Sequence, residues 1–95
     1  MITKVQKTKW IKALESGKFK KVVGQLKSDY DHKPRYCCLG VACEIGIASP
    51  NRNPSSHSYY CSAKFLPIKV QKDLASKNDG GWSFKRIANY IKKHL

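Results

Sequence analysis

The chain has 95 residues, with 19 Lys plus Arg against 6 Asp plus Glu and a formal net charge of +13; that length holds one hydrophobic core and not two, so a single domain over residues 1–95 is expected. A hydrophobic content of 41% suits a folded globule better than a disordered tail, and no run approaches the roughly 18 apolar residues of a membrane span. Self-repulsion at this charge opposes compaction, so a basic face that meets nucleic acid, another polyanion or an acidic protein is the expectation, set against a generally basic surface that serves solubility.

Met1-Ile2-Thr3-Lys4 leads into polar residues rather than the apolar core of a secretory leader, so a cytoplasmic location with reduced thiols is expected. Thr3-x-x-Gln6 fits a capping box, and Val5, Trp10, Ala13 and Leu14 fit an apolar stripe, which predicts a helix over residues 3–16 with Trp10 as a core anchor. Ser16-Gly17 stops it. Phe19, Val22, Val23 and Leu26 have helical spacing, but Gly24 and the β-branched pair favour an extended path. Asp29, Asp31 and Pro34 mark a reversal, so a hairpin pairing residues 22–26 with 35–38 is expected.

The stretch 36–47 is the longest nearly uncharged run and holds three of the four cysteines. It must be covered by the rest of the chain, and its 39–47 portion reads as a short buried helix in which Gly40 lets a neighbouring backbone come close. Residues 49–56 are rich in helix and strand breakers and read as a loop; Tyr59-Tyr60-Cys61 offers a short strand. Leu66-Pro67 opens a helix with proline at its first position, carrying Ile68, Val70 and Leu74, and residues 77–81 end it. Ser83 caps the last helix, whose stripe is Phe84, Ile87, Ala88 and Ile91, extended by Leu95. The predicted class is α+β, mostly helical with about four helices and a minor antiparallel hairpin or small sheet.

Trp10-x-x-Ala13-Leu14-x-Ser16-Gly17-x-Phe19, Gly24-x-Leu26, Tyr36-Cys37-Cys38-Leu39-Gly40-Val41-Ala42-Cys43-Glu44, Leu66-Pro67 and Ser83-Phe84-x-x-Ile87-Ala88 follow one another in order. This resembles a set of small proteins encoded in tailed-phage genomes, most specifically in the Cys-Cys-Leu-Gly-Val-x-Cys core. The resemblance implies a phage accessory protein acting in bacterial host cytoplasm, and it implies no established activity.

Catalytic groupings are hard to assemble. Cys37, Cys38, Cys43 and Cys61 lack the paired knuckle spacing of a zinc site, and their apolar setting suits buried thiols. A cysteine nucleophile needs a nearby base, yet His32 and His57 fall in predicted loops and His94 at the end of the sequence. Asp29 and Asp31 are explained by turn hydrogen bonds. No enzyme, metal or cofactor is therefore expected. The basic residues are the stronger cue: Lys4, Lys7, Lys9, Lys12, Lys18, Lys20 and Lys21 crowd the first quarter against Glu15 alone, and Lys85, Arg86, Lys92 and Lys93 lie on the last helix. If the terminal helices pack side by side, the two groups merge into one electropositive surface. The predicted polyanion contacts are Lys4, Lys7, Lys12, Lys18, Lys20, Lys21, Lys85, Arg86, Lys92 and Lys93. The dominance of lysine over arginine points to backbone contact with little base readout, and Tyr59 and Trp82 are candidates for base stacking. The expected function is non-enzymatic binding of nucleic acid or a nucleic-acid-associated host machine. The alternatives are a counter-defence inhibitor docking on an acidic host protein, or a sponge for a small anionic nucleotide built near residues 49–60.

Overall fold

The computed structural model describes residues 2–23, 26–28, 34–49, 61 and 65–95. The elements run α1 (Lys4–Glu15), β1 (Lys20–Lys21), β2 (Lys27–Ser28), β3 (Arg35–Tyr36), α2 (Cys38–Glu44), α3 (Ile68–Asp79) and α4 (Phe84–His94). Among the described residues, four helices with a small mixed sheet make an α+β fold.

α1 begins with the predicted capping box: Thr3 Oγ1 accepts from the Gln6 amide at 3.1 Å, and Gln6 Oε1 accepts from the Thr3 amide at 3.0 Å. Its buried face is Trp10, Ile11 and Leu14. Val5, expected in that stripe, is 78% exposed, because five residues carry it about 140° around the helix from Trp10. Ile11 takes its place. Trp10 is fully buried, donates from Nε1 to the Cys38 carbonyl at 2.9 Å, and meets Phe65 edge-to-face at 5.2 Å. The indole thus fills the core and finds its own N–H an acceptor in α2 in one contact.

The predicted hairpin takes a different form. β3 is the central strand, with β1 parallel on one side (Lys20 opposite Arg35) and β2 antiparallel on the other (Lys27 opposite Tyr36). Val22 donates to the Tyr36 carbonyl at 2.9 Å, and Cys37 donates to the Leu26 carbonyl at 3.1 Å. Residues 22 and 26 therefore flank β3 instead of forming one strand beside it. Two-residue strands of lysine, arginine and serine carry no apolar alternation from which register can be read.

α2 is the innermost helix, with Cys38, Leu39, Gly40, Val41 and Ala42 all buried. A β-carbon on Gly40 would collide with the Leu26 carbonyl, the close backbone approach that the sequence suggested. The helix stops at Glu44 and not at residue 47. Gly46 has φ 83°, and Ile47 and Gly46 donate to the Ala42 and Cys43 carbonyls at 3.1 Å each, a Schellman closure that needs a left-handed residue. Pro67 stands one position earlier than predicted, as the N-cap of α3 with ψ 141°.

α3 holds two fully buried polar residues one heptad apart, Gln71 and Asn78. Gln71 accepts from the Cys61 amide at 2.7 Å and donates to the Leu66 carbonyl at 2.9 Å. Asn78 accepts from the Cys38 amide at 3.3 Å and donates to the Val22 carbonyl at 2.9 Å. These amides tie α3 to three chain segments whose backbone groups would otherwise lack partners. α4 is capped by Ser83, whose Oγ accepts from the Arg86 amide at 3.1 Å, and buries Phe84, Ile87, Ala88 and Ile91 as predicted. Among the described residues, no helix is long and apolar enough to cross a membrane.

Candidate nucleic-acid interface

The terminal helices α1 and α4 pack against each other. At their seam Lys92 Nζ lies 3.1 Å from a Glu15 carboxylate oxygen. The cation that α4 brings to this seam thus meets an acid of α1, and Lys92 is engaged within the molecule.

Lys4, Val5, Thr8, Lys9 and Lys12 line one open face of α1, as spacings of three, four and eight residues require. Lys7 departs from this face. It sits three residues before Trp10 and four before Ile11, on the buried flank, and is half-buried. Lys18 is exposed in the turn after α1. Lys20 is exposed on β1 beside the exposed Arg35 of β3, a cationic pair set by strand register that sequence spacing does not reveal. Lys85 and Lys93 are exposed on α4.

The most organised part of the basic surface lies where α3 turns into α4. Gly81, at φ 96°, lets the chain reverse so that Trp82 donates from its amide to the Lys77 carbonyl at 3.1 Å. The half-buried indole then gathers cations. The Arg86 guanidinium carbon stands 3.8 Å from the ring centroid, and Lys77 Nζ 5.4 Å from it. Lys21 Nζ donates to the Trp82 carbonyl at 2.7 Å. Lys77 is held at 2.6 Å from Asp73 Oδ1, and Tyr90 donates to Asp73 Oδ2 at 2.7 Å. These bonds from Lys77 and then Tyr90 hold the Asp73 carboxyl below its ordinary range. Lys77 also lies 4.6 Å from the Tyr90 ring centroid, and Tyr90 meets Trp82 edge-to-face at 6.1 Å. Contact with the indole restricts the exposed Arg86, whose guanidinium is a group that can fork onto an oxyanion.

Sequence reasoning named Lys21, Arg86 and Trp82 separately and missed their convergence, along with Asp73, Lys77 and Tyr90. The i,i+4 pairs Asp73/Lys77 and Arg86/Tyr90 were visible as helical neighbours; the closeness of Lys21 was not. Trp82, suggested as a base platform, already stacks on Arg86. Tyr36 is buried against Phe19 at 5.3 Å and is a packing residue. Asp29, Tyr30, Asp31, His32, His57, Tyr59, Tyr60 and the loop from residue 50 onward fall outside the described residues, as does the nucleotide-sponge site placed there.

All four cysteines are free thiols. Burial pushes Cys37 up to about 11 and raises Cys38 further still. Cys61 Sγ lies 3.4 Å from Cys43 Sγ; this hydrogen bond raises the Cys61 pKa, with burial adding to it, and lowers that of Cys43. Among the described residues, no three His, Cys, Asp or Glu side chains gather where they could hold a metal ion.

The class is thus a small α+β domain with a cysteine-bearing internal helix and a lysine-rich exterior. The chain belongs to the family described as Domain of unknown function (DUF8296), which matches residues 1–72. That span covers α1, the sheet, α2 and the start of α3; the Trp82 corner and α4 lie beyond it. No curated protein and no solved structure matches the chain.

Proposed function

We propose that this is a small basic phage accessory protein, non-enzymatic, that binds nucleic acid or a nucleic-acid-associated host machine through its lysine-rich surface. The observation that carries the reading is the excess of 19 Lys plus Arg over 6 Asp plus Glu, much of it on exposed positions such as Lys4, Lys12, Lys18, Lys20, Lys85 and Lys93. Ammonium groups on flexible stems neutralise phosphates without reading bases, and release of condensed counterions supplies the affinity. The phage setting is supported by the motif over residues 36–44 and the bacterial cytoplasm follows from it.

Among the described residues, Arg86 offers a contact of a different kind, a guanidinium 3.8 Å from the centre of the Trp82 ring. Such a group forks onto a phosphate or a carboxylate alike, so it suits nucleic acid and leaves the choice between nucleic acid and an acidic protein to the binding test.

Fluorescence anisotropy with labelled single-stranded DNA, duplex DNA and RNA of mixed sequence tests the reading. Binding to at least one of them with little dependence on sequence is expected. Absence of binding to all three at low salt, together with a protein partner retained from nuclease-treated host lysate, would replace it by docking on an acidic host protein.

A further inference from the structure

The four thiols divide into two kinds. Cys37 and Cys38 are sealed in the core, with Cys37 Sγ accepting from the Gly40 amide at 3.4 Å and Cys38 Sγ donating to the Leu74 carbonyl at 3.8 Å. Cys43, at the C-terminal end of α2, is half-buried, and its sulfur stands 3.4 Å from that of Cys61 across 18 residues of chain. Closing this gap by about 1.4 Å reaches the length of a disulfide bond. The two sulfurs of the reduced pair are thus already in contact.

We propose that Cys43 and Cys61 form a thiol–disulfide exchange site, with Cys43 as the attacking sulfur, Cys61 as the resolving sulfur, and a small-molecule disulfide as the oxidant. In the first step the Cys43 thiolate, its proton released to solvent, bonds to one sulfur of the oxidant. The oxidant's S–S bond breaks, and one thiolate leaves with the electron pair and is protonated. In the second step Cys61 loses its proton and its sulfur bonds to Cys43 Sγ, breaking the mixed disulfide and expelling the second small thiol. Two protein thiols are oxidised to one disulfide, and one small disulfide is reduced to two thiols.

Accessibility assigns the roles, since only Cys43 reaches the surface. The hydrogen bond from Cys61 also lowers the Cys43 pKa, enlarging its thiolate fraction. Cys61 is anchored through its amide on Gln71 Oε1 at 2.7 Å, and its sulfur lies 3.7 Å from the Leu39 carbonyl. The new bond joins the C-terminal end of α2 to the chain that Gln71 pins against α3.

The test exposes the folded full chain to oxidised glutathione, quenches it with N-ethylmaleimide, digests it without reduction and maps linkages by fragment spectra. The expected product has lost two hydrogens, is linked Cys43 to Cys61, and carries maleimide on Cys37 and Cys38 only after unfolding. Cys61→Ser should trap glutathione on Cys43, and Cys43→Ser should abolish both adduct and linkage. Wild-type chain in which glutathione stays on Cys43, in which linkage runs first through Cys37 or Cys38, or in which all four thiols remain reduced would overturn the proposal. Because the wild-type map needs no variant, a serine variant that fails to fold leaves the test intact.

Discussion

The interior around α2 and the outer faces of α1 and α4 solve opposite problems. Inside, the Trp10 indole, the Asn78 and Gln71 amides and the Gly40 backbone each have one position and one set of partners. Among the described residues, no buried side-chain nitrogen or oxygen lacks a hydrogen bond. Outside, Lys4, Lys9, Lys12, Lys85 and Lys93 stand at exposed helical positions that many side chains could occupy. The contrast teaches that the residues that hold the fold together are not those to which the proposed polyanion binding is assigned. The Trp82 corner is the exception, where Lys21, Lys77 and Arg86 each have a partner within the molecule.

The separation can be attacked first from the inside. Gly40→Ala drives a methyl into the Leu26 carbonyl, and backbone has less room to yield than a side-chain tip. A loss of about 3 kcal/mol or more is expected from urea unfolding, the upper end of overpacking costs. Asn78→Ala leaves the Cys38 amide and the Val22 carbonyl without their side-chain partner, with an expected cost of about 2–3 kcal/mol in the same measurement. Neither change alters the charge, so any folded fraction should bind polyanion as wild type does.

The exterior gives the reverse pattern. Lys4→Glu with Lys12→Glu removes two cations from the open face of α1 and adds two anions. Unfolding should shift by no more than about 0.5 kcal/mol per site. Affinity for duplex DNA at low salt should fall at least about tenfold, measured by anisotropy, because phosphate contacts dominate such binding.

The Trp82 corner sharpens the comparison through pH. Asp73 has a folded-state pKa below its unfolded value, so its contribution to stability is full above the unfolded pKa and is lost as pH falls through the folded one. Acidification below roughly pH 4 should therefore change Trp82 fluorescence as Lys77 and Tyr90 lose their anchor. Asp73→Asn should remove that transition.

Much of the framework was legible because it rests on short-range rules. The Thr3 and Ser83 caps, the Gly17 stop, the α4 stripe and the close approach at Gly40 each follow from a few neighbouring residues. What was missed depends on chain segments far apart in sequence. The placement of 20–21 and 27–28 on opposite sides of 35–36 has no alternation to announce it, and the roles of Gln71 and Asn78 are set by backbone groups up to 56 residues away. Gly46 was a readable stop signal that the apolar run overshadowed. At the candidate surface, the packing of α1 on α4 was anticipated as a condition for merging the basic groups. The neutralising contact of Glu15 with Lys92 and the approach of Lys21 to Trp82 join residues 77 and 61 positions apart, beyond the reach of any local pattern.

Salt dependence tests the central claim most directly. Anisotropy titrations of wild type with mixed-sequence duplex DNA, repeated from about 50 to 200 mM salt, should show affinity falling linearly on a double-logarithmic plot, with a slope reflecting several neutralised phosphates. Arg86→Ala should make that slope shallower by about one phosphate contact. An affinity that stays flat across the series, or no measurable binding at the lowest salt, would contradict the account.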